Sequence, residues 1–211
     1  PFERYGNVSL RYVDNVGDLH QPDMIILPGT KSTIADLRWL RQCGLEAAIH
    51  KAADAGTLVF GVCGGYQMLG RTVSDPEQVE AAGTTEILGM GLLEMDTIFL
   101  GEKVQAQTTG VFAGISGVLS DLNGMSYSGY EIHMGRSEEE MPALAGTGNV
   151  YGSYVHGVFD ASGISDTILK ALCVRKGIDF DALETFDISE YKEHQYDLLA
   201  DAVRSGLDME F

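Results

Sequence analysis

The hydrophobic pattern divides the chain into alternating short apolar runs and amphipathic stretches. Val8 to Val13 alternates apolar and polar positions and is rich in β-formers, which predicts a strand. Asp23 to Leu27 is almost wholly apolar, as is Thr57 to Phe60. Such runs predict strands buried on both faces of a parallel sheet. Between them, Ile34 to Gln42 and then Leu45, Ala48, Ile49, Ala52 and Ala53 repeat at helical spacing. Ser32 or Thr33 can cap the first of these helices and Gly44 can stop it, and Gly56 ends the second. After Gly70 the pattern shifts to strands with Gly-rich turns, over Ile87–Thr97, Lys103–Phe112 and Gly129–Gly135. Ser74–Thr85 reads as a polar loop, and Ser137–Gly148 as a surface loop whose run Glu138, Glu139, Glu140 is a solvated face. Val150 to Val155 is a last strand, and helices are predicted over Ser165–Lys176 and Ser189–Ser205. Strand–helix alternation of this kind predicts an α/β fold: a three-layer, doubly wound, mostly parallel sheet. In such sheets sites form beyond the carboxyl ends of the strands.

One stretch stands out against this background. The run Thr57–Phe60 leads directly into Gly61-Val62-Cys63-Gly64-Gly65, a cysteine framed by glycines, and then into a short helix. G-x-C-x-G is the cysteine form of a nucleophile elbow. Its strand-to-helix turn is too tight for neighbouring side chains, so the neighbours are glycines. The thiol would sit at a helix N-terminus, where free N–H groups and the helix dipole favour a thiolate. Without that glycine spacing, Cys63 would read as a small buried core residue.

Composition narrows the chemistry. The 211 residues are 45% hydrophobic, enough for one domain with a proper core. A net charge of −17 disfavours nucleic acid and anionic membranes as partners. No apolar run is long enough to span a bilayer. Three widely spaced cysteines argue against a disulfide framework and for a reducing cytoplasm. Five histidines without ligand spacing disfavour a protein-bound metal. The chain opens at Pro1 and runs almost at once into apolar alternation, which suggests a cut inside a longer polypeptide.

A nucleophilic cysteine needs a base that takes its proton and returns it to a leaving group, and histidine suits that task near neutrality. His156 follows the strand Val150–Val155, at the same kind of strand end as Cys63. His133 is the rival, while His20, His50 and His194 read as solvated. Acyl chemistry also needs N–H donors for the developing oxyanion. The Gly64 amide is one, and the Pro28-Gly29-Thr30 turn can supply another through Gly29. A substrate carboxylate would need a cation or N–H donors. Lys103 is a candidate, though it reads equally as a solvated lysine, and backbone around Met134-Gly135 is another.

These segments carry a resemblance. GVCGGYQMLG (61–70) resembles the nucleophile segment of class I, triad-type glutamine amidotransferases. ILPGTKSTIADLRWL (26–40), GYEIHMGR (129–136) and GSYVHGVFD (152–160) together resemble the glutaminase domain of the cobyric acid synthase branch of that family. The likeness runs from about Val8 to Asp160. It implies a flavodoxin-like amidotransferase fold lacking its first strand and helix. It also implies that Gln67, four residues after the cysteine, helps to hold substrate glutamine. Further, it implies an N-terminal synthetase domain, using ATP and Mg, that would amidate corrinoid carboxylates in the cobalamin pathway with ammonia released here. This chain itself would carry no cofactor.

Two other functions stay open at this point: a glutaminase subunit of a cell-wall precursor ligase, and a catalytically silent interaction module. Most of the wider family carries His-Pro-Glu, its glutamate orienting the histidine, where this chain has His156-Gly157-Val158. The branch shares that departure. Asp160, Glu131 or an acid from the preceding domain remain alternatives for the orienting group, and low glutaminase activity in isolation is expected.

Overall fold

The structure is a computed structural model that describes residues 1–80, 83, 86–137, 141–161, 163–184 and 188–206. Its elements in order are α1 (Val16–Leu19), β1 (Met24–Leu27), α2 (Thr33–Gln42), α3 (Leu45–Asp54), β2 (Leu58–Val62), α4 (Gly64–Leu69), β3 (Thr72–Ser74), β4 (Glu86–Leu88), β5 (Asp96–Val111), β6 (Ser126–Ser137), β7 (Ala145–Thr147), β8 (Val150–Ser153), α5 (Ile164–Lys176) and α6 (Ile188–Gly206).

The central sheet has the order β1-β2-β8-β7. The β1–β2 and β2–β8 pairs are parallel, and β7 closes one edge antiparallel. Successive side chains of β2 point to opposite faces, as the two-residue period of a strand requires. Leu58 and Phe60 therefore enter one core and Val59 the other. The Val59 core is filled by Leu37 and Leu40 of α2, Leu45 and Ile49 of α3, and Tyr66 and Leu69 of α4. The opposite core takes Ile164, Ile168 and Leu172 of α5, with Leu119 and Leu122 from a 3-10 segment. Helices cover both faces, so the near-continuous apolar runs are explained and the three-layer α/β architecture holds.

The Val8–Val13 stretch forms no strand. Alternation specifies a strand only where a neighbour takes up the backbone hydrogen bonds. Here the segment is tied down instead by Arg11, whose guanidinium donates to the Asp18 and Leu19 carbonyls, and Leu10 and Tyr12 are exposed.

A second sheet, β4-β3-β5-β6, is largely antiparallel, with β3–β5 its parallel pair. The two strands expected over Ile87–Thr97 and Lys103–Phe112 are redistributed. β4 is short, residues 89–93 bond back onto Met68–Arg71, and β5 is one strand of sixteen residues with an irregularity between Phe99 and Val104. The surface loop expected over 137–148 contains β7, and its run Glu138, Glu139, Glu140 lies outside the described residues. β5 and β6 form a long antiparallel ribbon that reaches the carboxyl end of the central sheet, where the Tyr130–His156 bridge joins the two sheets.

Candidate active site

The elbow is built as its spacing predicts. Cys63 caps α4 at φ 50° and ψ −109°, a region costly for a residue with a side chain and one in which strain of about 1–3 kcal/mol is typical. The glycines around it are required by close approach. A Cβ on Gly61 would stand 2.6 Å from Tyr66 Cα and N. One on Gly65 would enter the Leu27 carbonyl, and one on Gly64 would stand 2.6 Å from Thr30 Cγ2 and 3.1 Å from Thr30 N. A Cβ on Gly152 in β8 would overlap the Tyr66 ring, so the neighbouring strand must also be bare where α4 crosses it.

Three strand ends converge at this point. β1 and β2 align Leu27 with Gly61, and β2 and β8 align Val62 with Ser153. The Cys63 N–H donates to the Ser153 carbonyl at 2.8 Å. The residues that follow each strand, Gly29, Cys63 and His156, are thereby brought to one spot. A Cβ at Gly29 would meet His156 Cε1 at 3.1 Å and Cys63 Cβ at 3.5 Å, so the glycine leaves open the space that the imidazole and the cysteine share. β6 lies across this spot. The Cys63 thiol donates to the Ile132 carbonyl at 3.5 Å, and His156 and Tyr130 exchange backbone hydrogen bonds of 2.8 and 3.2 Å. Cys63 is 5% exposed, and His156 Nε2 is buried without a hydrogen bond among the described residues.

The CobB/CobQ-like glutamine amidotransferase domain matches residues 1–164. The chain belongs to this family. It is 50% identical to cobyric acid synthase of Lachnoclostridium phytofermentans over 98% of its own length and 45% of that protein. It is 45% identical to cobyric acid synthase of Ruminiclostridium cellulolyticum over 96% of its length and 43% of that protein. It therefore spans less than half the length of these curated relatives. Among solved structures, a glutamine amidotransferase aligns over 78% of this chain and 87% of its own, with TM-score 0.55 and 18% identity. PurLQS from Thermotoga maritima aligns over 77% and 85%, with TM-score 0.51 and 19% identity. At such identities the likeness is one of fold.

Of the other residues expected at the site, Gln67 stands one helical turn beyond Cys63 and its N–H donates to the Cys63 carbonyl at 3.0 Å. Gln67 is buried on α4. Its carboxamide oxygen accepts from Thr33 Oγ1 at 3.2 Å, and its Nε2 is buried without a hydrogen bond among the described residues. Gly135 lies on β6 opposite Phe99. The Lys103 side chain lies outside the described residues. Neither proposed orienting acid reaches His156. Asp160 is exposed and makes no ion pair or hydrogen bond with it among the described residues, while Glu131 approaches His133, at 3.5 Å from its Nε2. His133 stacks on Tyr154 with ring centroids 4.1 Å apart.

The electrostatics differ from the thiolate expectation. Burial pushes the Cys63 thiol up. The Gly64 N–H opposes that and the Glu131 carboxylate adds to it. Burial, helped by His133, holds His156 below the ordinary histidine range. Both shifts favour the neutral forms, thiol and imidazole.

The Ser74–Thr85 stretch also hides a role that its polarity does not signal. Asp75 is fully buried and accepts the Val79 and Glu80 N–H groups at 2.7 and 3.0 Å. Glu80 then accepts the Ile34 N–H at 2.8 Å at the start of α2, beside Thr33. An acidic side chain 46 residues away thus stabilises the N-terminus of the helix that backs Gln67. Among the described residues no cluster of side chains could hold a metal, and no helix is long and apolar enough to cross a membrane.

Proposed function

We propose that this chain is the glutaminase part of an amidating enzyme of cobalamin biosynthesis, hydrolysing glutamine through a thioester on Cys63. The observation that carries the reading is the convergence of Cys63, His156 and Gly29 at three adjacent strand ends, with the cysteine at positive φ. His156 Nε2 takes the thiol proton, and the sulfur attacks the side-chain amide carbon of glutamine. The tetrahedral oxyanion is held by the Gly64 N–H and by N–H donors of the Gly29-Thr30 turn, each worth about 2.7–4 kcal/mol in comparable sites. The C–N bond then breaks, and the His156 proton leaves with ammonia. Water attacks the γ-glutamyl thioester with His156 again as base, releasing glutamate and restoring the thiol. Gln67 would donate its Nε2, which has no partner among the described residues, to the bound substrate, and Lys103 and backbone at Gly135 would take its α-carboxylate.

The names and lengths of the relatives support a preceding synthetase domain that uses ATP and Mg. There the ammonia would convert corrinoid side-chain carboxylates, those of adenosylcobyrinic acid a,c-diamide, to the amides of adenosylcobyric acid. Such chemistry suits the cytoplasm, where Cys43, Cys63 and Cys173 stay free thiols. In the full-length protein, Cys63→Ala is expected to abolish glutamine-dependent amidation and spare amidation with added ammonia. Glutamine-dependent turnover that survives the substitution refutes the reading.

A further inference from the structure

We propose that Tyr130 takes the place of an orienting carboxylate and positions His156 by ring stacking; this rests on the assignment of His156 as the base. A base that must take a proton from a buried thiol has to be held in one plane, and in triad enzymes a carboxylate does so. Among the described residues no acid reaches the His156 ring. Instead the Tyr130 and His156 rings lie 5.1 Å apart, centroid to centroid, and only 5° from parallel. The offset stacked geometry restricts rotation of the imidazole about its χ2.

The stack is set by the backbone. Tyr130 and His156 form an isolated antiparallel bridge, with hydrogen bonds of 2.8 and 3.2 Å in the two directions. The bridge fixes the two Cα atoms side by side, so the rings leave the backbone at matching heights. Gly129 makes the approach possible, because a Cβ there would run into the His156 carbonyl oxygen and stand 2.7 Å from Val155 Cγ1.

Tyr130 has no other evident purpose. It is 47% exposed, belongs to neither core, and makes no side-chain hydrogen bond among the described residues. The rival imidazole is held differently. His133 stacks on the buried Tyr154 and also approaches Glu131. Stacking fixes the plane of a ring but not which nitrogen carries the proton, so Tyr130 supplies orientation alone and its effect is modest.

The test uses Tyr130→Phe, Tyr130→Leu and Tyr130→Ala in the full-length protein, measuring glutamine-dependent and ammonia-dependent turnover. Tyr130→Phe keeps the stack and is expected to keep the wild-type kcat. Tyr130→Leu keeps bulk and strand preference but has no ring face. Together with Tyr130→Ala it is expected to lower glutamine-dependent kcat about three- to tenfold, with KM and ammonia-dependent turnover unchanged. In a His156→Ala background Tyr130→Leu adds nothing. Full activity of Tyr130→Leu, a Phe variant as poor as Leu, or an undiminished Leu effect without His156 each overturns the proposal. A readout independent of turnover is the NMR signal of 13C-labelled His156. It should be a single ordered state in wild type and Tyr130→Phe, and should average over rotamers in Tyr130→Leu. Equal order in all three overturns the positioning role. Absence of glutamine-dependent turnover in the wild type, with ammonia-dependent turnover intact, instead removes the glutaminase reading.

Discussion

Burial favours the neutral forms of both Cys63 and His156, and that sets how the site should respond to pH. His156 is held below the ordinary histidine value of 6.5 by burial and then by His133, so it remains an unprotonated base further into the acid range. On lowering the pH, the glutamine-dependent kcat/KM of the full-length protein is therefore expected to fall with a midpoint below 6.5. A midpoint at or above that value would mean that burial does not govern the imidazole. The thiol is shifted the other way. Burial raises it most, and the Glu131 charge raises it further. Glu131→Gln removes that charge without changing the size of the side chain. The pH at which Cys63 is half-reactive toward iodoacetamide, read by mapping the labelled peptide, should move down. An unchanged or higher value would show that Glu131 does not act on the sulfur.

At the scale of elements, the site exists because three strands end side by side and a fourth, β6, is laid across them. The tolerances are set by glycines. Gly65→Ala drives a methyl group into the Leu27 carbonyl, backbone against backbone, with no flexible side chain to yield. Overpacking of this kind typically costs about 1–3 kcal/mol, and at about 2–4 °C per kcal/mol for a chain of this length the thermal midpoint should drop measurably. Gly129→Ala acts on a different joint. It pushes β6 off the His156 carbonyl and presses on one core only at its rim, through Val155 Cγ1 at 2.7 Å. Its expected signature is loss of glutamine-dependent turnover by more than tenfold, on the scale of a 1 Å misplacement. Its midpoint should lie closer to wild type than that of Gly65→Ala. A Gly129→Ala protein with full glutaminase activity would show that β6 need not sit against His156.

At the scale of the molecule, the central sheet divides two cores, and β2 contributes to both. Phe60 is 1% exposed and packs against Phe159, with ring centroids 4.8 Å apart. Truncating a buried phenylalanine typically costs about 3–5 kcal/mol. For Phe60→Ala the urea midpoint should therefore fall with little change in the slope of the transition. An unchanged midpoint would mean that the core opposite α2 and α3 contributes little. The layer that carries the elbow is thus supported from both sides, which is what a strained residue at positive φ requires of its surroundings.

The sequence by itself determined the layers and the build of the elbow. Buried strands with helices on both faces must be apolar throughout, and β1 and β2 are. A tight strand-to-helix turn admits only glycine beside its tip, and Gly61, Gly64 and Gly65 surround Cys63 for that reason. These are local constraints, written within a few residues of where they act. Tertiary structure alone decided the rest. Val8–Val13 alternates like a strand yet finds no partner strand, because pairing depends on what lies alongside. Glu80 stabilises the start of α2 from 46 residues away, and Tyr130, in a strand legible only as a strand, stacks on His156. Gly129 and Gly152 read as ordinary strand glycines, and their necessity shows only when the His156 carbonyl and the Tyr66 ring stand beside them. The thiol's protonation also belongs to this level. A helix N-terminus favours the thiolate locally, but burial in the folded chain pushes the thiol the other way, and one of the groups against the sulfur, the Ile132 carbonyl of β6, lies nearly seventy residues away along the chain.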